Sequence, residues 1–158
     1  MEVVLGLGTN LGDREENLAR ALDALERLEG TQLQRISNVY ETEPFDVLSQ
    51  QGDYLNCCVL LETSLKPETL LEHCQSPERC RGRGRTEEHG ARTMDIDLLL
   101  CGGYTSQTET LTVPHPHIRE RAFVMVPLSD LFPLHQGLGY DFHEAYEAVD
   151  KSGVRLYK

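Results

Sequence analysis

The sequence predicts an α+β sandwich, an antiparallel-rich sheet with helices covering one face. Three observations point there. Short alternating or β-branched runs recur along the chain, helical apolar spacing recurs between some of them, and after an initial strand-helix-strand unit several links are of hairpin length. At 158 residues with 39% apolar content the chain suits one domain, residues 1–158, with a full core.

Glu2 to Gly8 is β-branched enough for a first strand, closed by Gly8, Asn10 and Gly12. Asp13 then caps a helix with Leu18, Ala21, Leu22, Leu25 and Leu28 at helical spacing, ending at Gly30. A second strand fits Leu33 to Tyr40, and a loop from Thr42 to Asp53 is punctuated by Pro44 and Gly52. YLNCCVLLE, Tyr54 to Glu62, is a third strand. Pro67 suits the first turn of a helix that places Leu70, Leu71 and Cys74 on one face. An Arg-rich loop leads to a strand from Met94 to Leu100. Beyond it lie an extended piece, Thr110 to Val113, and a helix from Arg119 to Leu131 whose regularity Pro127 limits. A helix from Asp141 to Val149 and a strand from Val154 to Tyr157 complete the chain.

Composition narrows the setting. No apolar stretch reaches the roughly 20 residues of a membrane helix, and MEVVLGLGTN lacks the features of a secretory signal, so a cytoplasmic protein is expected. Five cysteines, an odd number set mostly in apolar patterns, suit reduced, buried thiols. A net charge of -11 argues against nucleic-acid or anionic-membrane surfaces. Seven of the fifteen basic residues nevertheless fall between Arg79 and Arg121, and all seven are Arg. They read either as a phosphate site, since the guanidinium fork matches phosphate oxygens, or as a solvated face paired with Glu78, Glu87, Glu88 and Glu120.

GLGTNLGD is no dinucleotide fingerprint, because Leu11 stands where G-x-G-x-x-G needs its third glycine, and no Gly-Lys-Ser/Thr follows for a P-loop. Its glycines are expected to make a tight strand-to-helix turn. GARTMDIDLLLCGG carries more chemistry. With a side-chain period of two, Asp95 and Asp97 share one strand face while Met94, Ile96, Leu98 and Leu100 share the other. Two neighbouring carboxylates repel, and a divalent cation between them relieves this; hard oxygen ligands select Mg²⁺. The alternative is a half-exposed strand showing acids to water, and Arg92 close by favours the metal reading.

GLGTNLGDREENL, VYETEP, DYLNCCVLLET, GARTMDIDLLL and LTVPHPHIRERAFVMVPL, in that order from about Val3 to Pro133, resemble signatures of the 6-hydroxymethyl-7,8-dihydropterin pyrophosphokinase family of folate biosynthesis. The resemblance implies a ferredoxin-like α+β fold and transfer of pyrophosphate from ATP to the pterin's hydroxymethyl oxygen, releasing AMP. It implies two Mg²⁺ ions on Asp95 and Asp97, with Arg83 and Arg92 beside the phosphates as catalytic residues. Arg85, Arg121, His115, Gln75, Glu78, Leu98 and Thr112 match nucleotide-pocket positions. Tyr54, Asn56 and Phe123 match the pterin pocket, with Thr42, Pro44 and Phe45 in the adjoining loop. Partners are then these two small molecules, without nucleic acid or membrane, and a monomer is expected.

Three positions depart from the family pattern. His89-Gly90-Ala91 replaces a common Trp-Gly-Pro, Glu88 stands where a basic residue is common, and Pro77 should kink or end its helix. Altered loop closure and weaker pterin affinity are therefore expected. Two other readings compete: a catalytically weak nucleotide-binding module of the same fold, and a zinc hydrolase using His115, His117 and His89, with Cys80. The second lacks a recognised ligand spacing.

Overall fold

The computed structural model describes residues 1–10, 12–42, 53–80, 94–108 and 111–157, with side chains of the second helix described as far as Cys74. Strand β1 (Glu2–Thr9) leads into helix α1 (Arg14–Glu26), β2 (Thr31–Ile36), β3 (Tyr40–Thr42) and β4 (Tyr54–Thr63). Helix α2 (Pro67–Cys80) precedes β5 (Asp95–Cys101), and a short ribbon of β6 (Ser106–Gln107) and β7 (Thr112–Val113) follows. A 3-10 turn (Ile118–Glu120) enters α3 (Ala122–Leu131); the β8 (Gln136–Gly137) and β9 (Tyr140–Asp141) hairpin, α4 (His143–Ala148) and β10 (Val154–Leu156) complete it.

The main sheet has the order β10-β3-β4-β1-β5, with β2 also paired to β4, and every pairing is antiparallel. Since β1 and β2 both run antiparallel to β4, they are parallel to each other with β4 between them. The α1 crossover therefore skips one place, which is the split βαβ arrangement of a ferredoxin-like sheet. Asp13 caps α1 as expected, its carboxylate accepting from the Glu16 N–H at 3.1 Å.

Helices cover both faces of this sheet, where the sequence pattern suggested one. Val3, Leu5 and Leu7 of β1 join Leu18, Ala21 and Leu25 of α1 and Leu70 and Cys74 of α2 in one core. Val4, Cys58, Leu60, Leu99 and Leu100 join Met125, Leu128 and Leu131 of α3 and Phe142 in a second. The physical reason is legible in β1 and β4, whose residues are buried almost without alternation, the mark of strands packed on both sides.

Several boundaries move. The expected strand Leu33–Tyr40 is two, β2 and β3, separated by Ser37, whose N–H and hydroxyl both bond to Cys58 backbone atoms. Helix α2 runs past Pro77 to Cys80 instead of ending there. The expected helix from Arg119 is divided at Arg121, whose extended backbone closes the 3-10 turn and opens α3; α3 then carries Pro127 inside it. The Asp141–Val149 helix begins only at His143, because Asp141 belongs to β9. Cys57, Cys58, Cys74 and Cys101 are free and buried, and burial pushes the Cys57 and Cys74 thiols up to about 12.

One irregularity matters for the site. Val4 pairs with Leu100 but the next residue, Leu5, pairs with Leu98, so Leu99 is an extra residue bulging from β5. The bulge breaks the alternation expected of Met94 to Leu100. Leu98 enters the α1/α2 core, whereas Leu99 and Leu100 both enter the α3 core, on the side that carries Asp97.

Candidate active site

Ahead of the bulge, β5 keeps a regular register. Asp97 stands opposite Gly6 and Asp95 opposite Gly8, so both carboxylates project on the α3 side of the sheet. Across β1, Gly6 is flanked by Cys58 and Gly8 by Asn56, and Asn56 is in turn opposite Tyr40. Neither glycine makes the strand-to-helix turn that the sequence suggested. Both lie within β1, and it is Gly12, at φ +66°, that turns the chain. Lacking a side chain, Gly8 leaves a low floor between Asp95 on one bank and Asn56 on the other, while Gly6 lies under the Leu99 side chain. A Cβ on Gly8 would lie 2.8 Å from the Asn56 side-chain oxygen, and one on Gly6 3.2 Å from Leu99 Cδ1. A glycine inside a strand often marks such a close approach, and that is the signal by which sequence reasoning could have found Gly8.

On the far bank Asn56 is buried, and its amide nitrogen donates to Thr42 Oγ1 at 2.8 Å, which leaves its carbonyl oxygen over Gly8. Tyr54 pairs with Thr42 and lies on the same face as Asn56. Burial raises its phenol pKa, with the Asp95 charge adding to the effect, so the two banks sense one another.

The third wall comes from the chain entering α3. The His115 N–H donates to the bulge carbonyl of Leu99 at 2.9 Å, tying this segment to β5. His115 Nδ1 accepts from the His117 N–H at 3.2 Å, so the neutral ring carries its proton on Nε2. Partial burial lowers its pKa, opposed by Asp97 and assisted by the positive charge of Arg121. Arg121 lies with Cζ 5.7 Å from the centre of the Phe123 ring, offering a cation and an aromatic face together. Thr112 is held in β7, its hydroxyl donating to the Thr108 carbonyl at 3.2 Å.

Asp95, Asp97, Thr42, Tyr54, Asn56, His115, Arg121 and Phe123 thus gather around one face. Leu98 does not join them by its side chain, which is in the opposite core, so only its backbone could line a pocket. Arg83, Arg85, Arg92, Pro44, Phe45, and the His89-Gly90-Ala91 and Glu88 departures lie outside the described residues, as do the side chains of Gln75, Glu78, Pro77 and Cys80. Of the suggested zinc set, His117 is paired with Glu120 at 3.0 Å.

Sequence reasoning missed a brace beside the site. Arg14 Nη1 donates to Glu41 Oε2 at 2.8 Å and to the Asp53 carbonyl at 2.9 Å, while Arg155 reaches Glu41 and the Asp53 carboxylate. The four residues are far apart in sequence, and no local motif could have joined them.

Residues 4–133 match the family described as 7,8-dihydro-6-hydroxymethylpterin-pyrophosphokinase. The chain belongs to this family. Over 155 residues it is 38% identical to the 2-amino-4-hydroxy-6-hydroxymethyldihydropteridine pyrophosphokinase of Bacillus subtilis, covering 98% of this chain and 89% of that one. The pyrophosphokinase of the same name from Methylorubrum extorquens is 39% identical over 150 residues, covering 95% and 94%. The folic acid synthesis protein fol1 of Schizosaccharomyces pombe is 37% identical over 155 residues, but the chain spans only 21% of its length. Among solved structures, an HPPK-DHPS in complex with substrates superposes with a TM-score of 0.67 at 14% identity, over 93% of this chain and 42% of that one. The Plasmodium falciparum HPPK-DHPS gives 0.66 at 15%, over 92% and 42%, and both support the pyrophosphokinase fold. No helix among the described residues is long and apolar enough to cross a membrane.

Proposed function

We propose that this chain transfers pyrophosphate from ATP to the hydroxymethyl oxygen of 6-hydroxymethyl-7,8-dihydropterin, releasing AMP, with Mg²⁺ as the required metal. The observation that carries the reading is the row Asp95–Gly8–Asn56 across three neighbouring strands, which sets a metal-type carboxylate beside an amide acceptor with an empty floor between them.

Asp95 and Asp97 supply hard oxygen donors from one strand face, and such a donor set fits Mg²⁺. When bound, Mg²⁺ neutralises phosphate charge and draws the reacting oxygens into line. The chain's own residues do the rest by positioning. Asn56, fixed by Thr42, presents its carbonyl oxygen to an N–H of the pterin ring, and Phe123 offers the face on which that flat ring stacks. Arg121 adds positive charge for the polyphosphate, joined by Arg83, Arg85 and Arg92. A neutral His115, tied to Leu99, donates from Nε2 to a phosphate oxygen. Gln75, Glu78, Thr112 and the Leu98 backbone take the nucleoside end, and Pro44 and Phe45 border the pterin. No protein base is needed, because positioning and charge neutralisation account for phosphoryl-group transfer of this kind.

Incubation with ATP, Mg²⁺ and the pterin, followed by nucleotide separation, tests this. AMP formed in step with the pyrophosphorylated pterin is expected. ADP as product would sink the reading, and ATP bound without turnover would leave the weak nucleotide-binding module.

A further inference from the structure

The β8–β9 hairpin and α4, which carry none of the residues assigned to catalysis, bring a second set of ligand-type side chains together. The Phe142 N–H donates to the His135 carbonyl at 2.9 Å, closing the hairpin so that His143, the next residue, lies beside His135. Their Nδ1 atoms share a hydrogen bond of 2.8 Å, one neutral ring donating to the other. One helical turn along α4, Glu147 follows His143 at i+4 on the same face. One ligand atom from each of the three residues lies within 4.8 Å of the others.

The set is held from outside itself. His135 has φ +65°, in the left-handed region a non-glycine residue seldom adopts, and its N–H donates to the Phe132 carbonyl at 2.8 Å. Its ring packs 4.1 Å from the Tyr146 ring and 5.5 Å from the Phe142 ring. The His143 N–H donates to Asp141 Oδ1 at 3.0 Å, which anchors the start of α4. A ligand fixed as His135 is, by its own backbone and packing, loses little freedom on binding an ion.

We propose that His135, His143 and Glu147 form a binding site for a divalent transition-metal ion of the Zn²⁺–Ni²⁺ class. Two imidazoles and one carboxylate suit these ions rather than Mg²⁺ or Ca²⁺, which take oxygen ligands. An ion would replace the hydrogen bond between the rings, the donating Nδ1 giving up its proton so that both nitrogens become ligands. Tetrahedral Zn²⁺ would need the nitrogens about 3.4 Å apart, an opening that the exposed His143 ring supplies by turning while His135 stays packed. The ion would pin the hairpin to α4, and so fasten the C-terminal layer that covers the α3 face of the sheet.

The test is calorimetric titration of Ni²⁺ and Zn²⁺ into untagged protein carrying Asp95→Asn and Asp97→Asn, so that the catalytic carboxylates do not compete. One equivalent is expected, with a higher melting temperature when it is bound. His135→Ala and His143→Ala should each weaken binding at least about tenfold, and Glu147→Gln several-fold. His143→Gln, which keeps a polar side chain of similar reach, serves if an alanine variant fails to fold. Absence of stoichiometric binding, or affinity unchanged by the His135 and His143 substitutions, overturns the site. So does loss of binding on His117→Ala instead.

Discussion

The side-chain oxygen of Asn56 occupies the space that a Cβ on Gly8 would need, 2.8 Å from where that atom would stand. Gly8→Ala must therefore displace the Asn56 amide and disturb its 2.8 Å bond to Thr42. What moves is the end of a side chain, and alanine suits a strand better than glycine does. Stability should thus change by no more than about 1 kcal/mol. The KM for the pterin should rise about tenfold, corresponding to loss of about one hydrogen bond. Steady-state kinetics beside a thermal melt check this; a collapse of stability with unchanged KM would contradict it.

Asp97→Asn keeps the shape of the β5 face and removes one of its two charges. If these carboxylates seat Mg²⁺, AMP formation should fall at least about a hundredfold, since a metal's electrostatic contribution is worth several kcal/mol. The melting temperature without substrates should hold or rise, because a like-charge repulsion is relieved. An inactive variant that also melts several degrees lower would indicate a structural role.

Tyr40 gives an alkaline signature. Its hydroxyl donates to Asp130 Oδ2 at 2.8 Å, and burial, reinforced by that bond, pushes its pKa up to about 12. Below about pH 10 the phenol is protonated in both folded and unfolded chains and its contribution is fully present. As pH rises from there toward 12 the unfolded chain releases the proton first, so that stability is progressively lost. Tyr40→Phe should cost about 1–2 kcal/mol at neutral pH and flatten this alkaline decline, as measured by denaturant melts across pH.

Arg14 touches both Glu41 and the Asp53 carbonyl, and it is the main reason the Glu41 carboxyl is held below its usual range. Arg14→Ala should loosen the grip between the end of β3 and the start of β4, where Thr42 and Tyr54 are positioned. Because such partly exposed ion pairs contribute little, the expected loss of stability is under about 1 kcal/mol. A rise of several-fold in pterin KM with kcat retained is the expected kinetic result. Equal losses in both would point to a different role.

The strands and first helix were legible because β1, α1 and β4 carry strong local patterns, and the Asp95/Asp97 face followed from the period of two. Helices over 119–131 and 141–149 were legible too, but not that they form a second layer on the opposite face, since the β8–β9 hairpin between them is too short to announce itself and the face a helix covers is set by tertiary packing. The trace of that layer was nevertheless present in the unalternating apolar runs of β1 and β4. The roles of Gly6 and Gly8 were misjudged because glycine signals a turn and a close approach equally well. Only the register opposite Asp97 and Asp95 separates the two.

The extra residue in β5 also divides the strand's liabilities. Before Leu99 the strand alternates between packing residues and the two aspartates; from Leu99 on, its side chains only pack the layers. Deleting Leu99 would merge these separate tasks. Leu98 and Leu100 would keep their places opposite Leu5 and Val4 in an unbroken register, but the carbonyl that tethers His115 would be lost, so a change among packing residues would reach the wall of the active site.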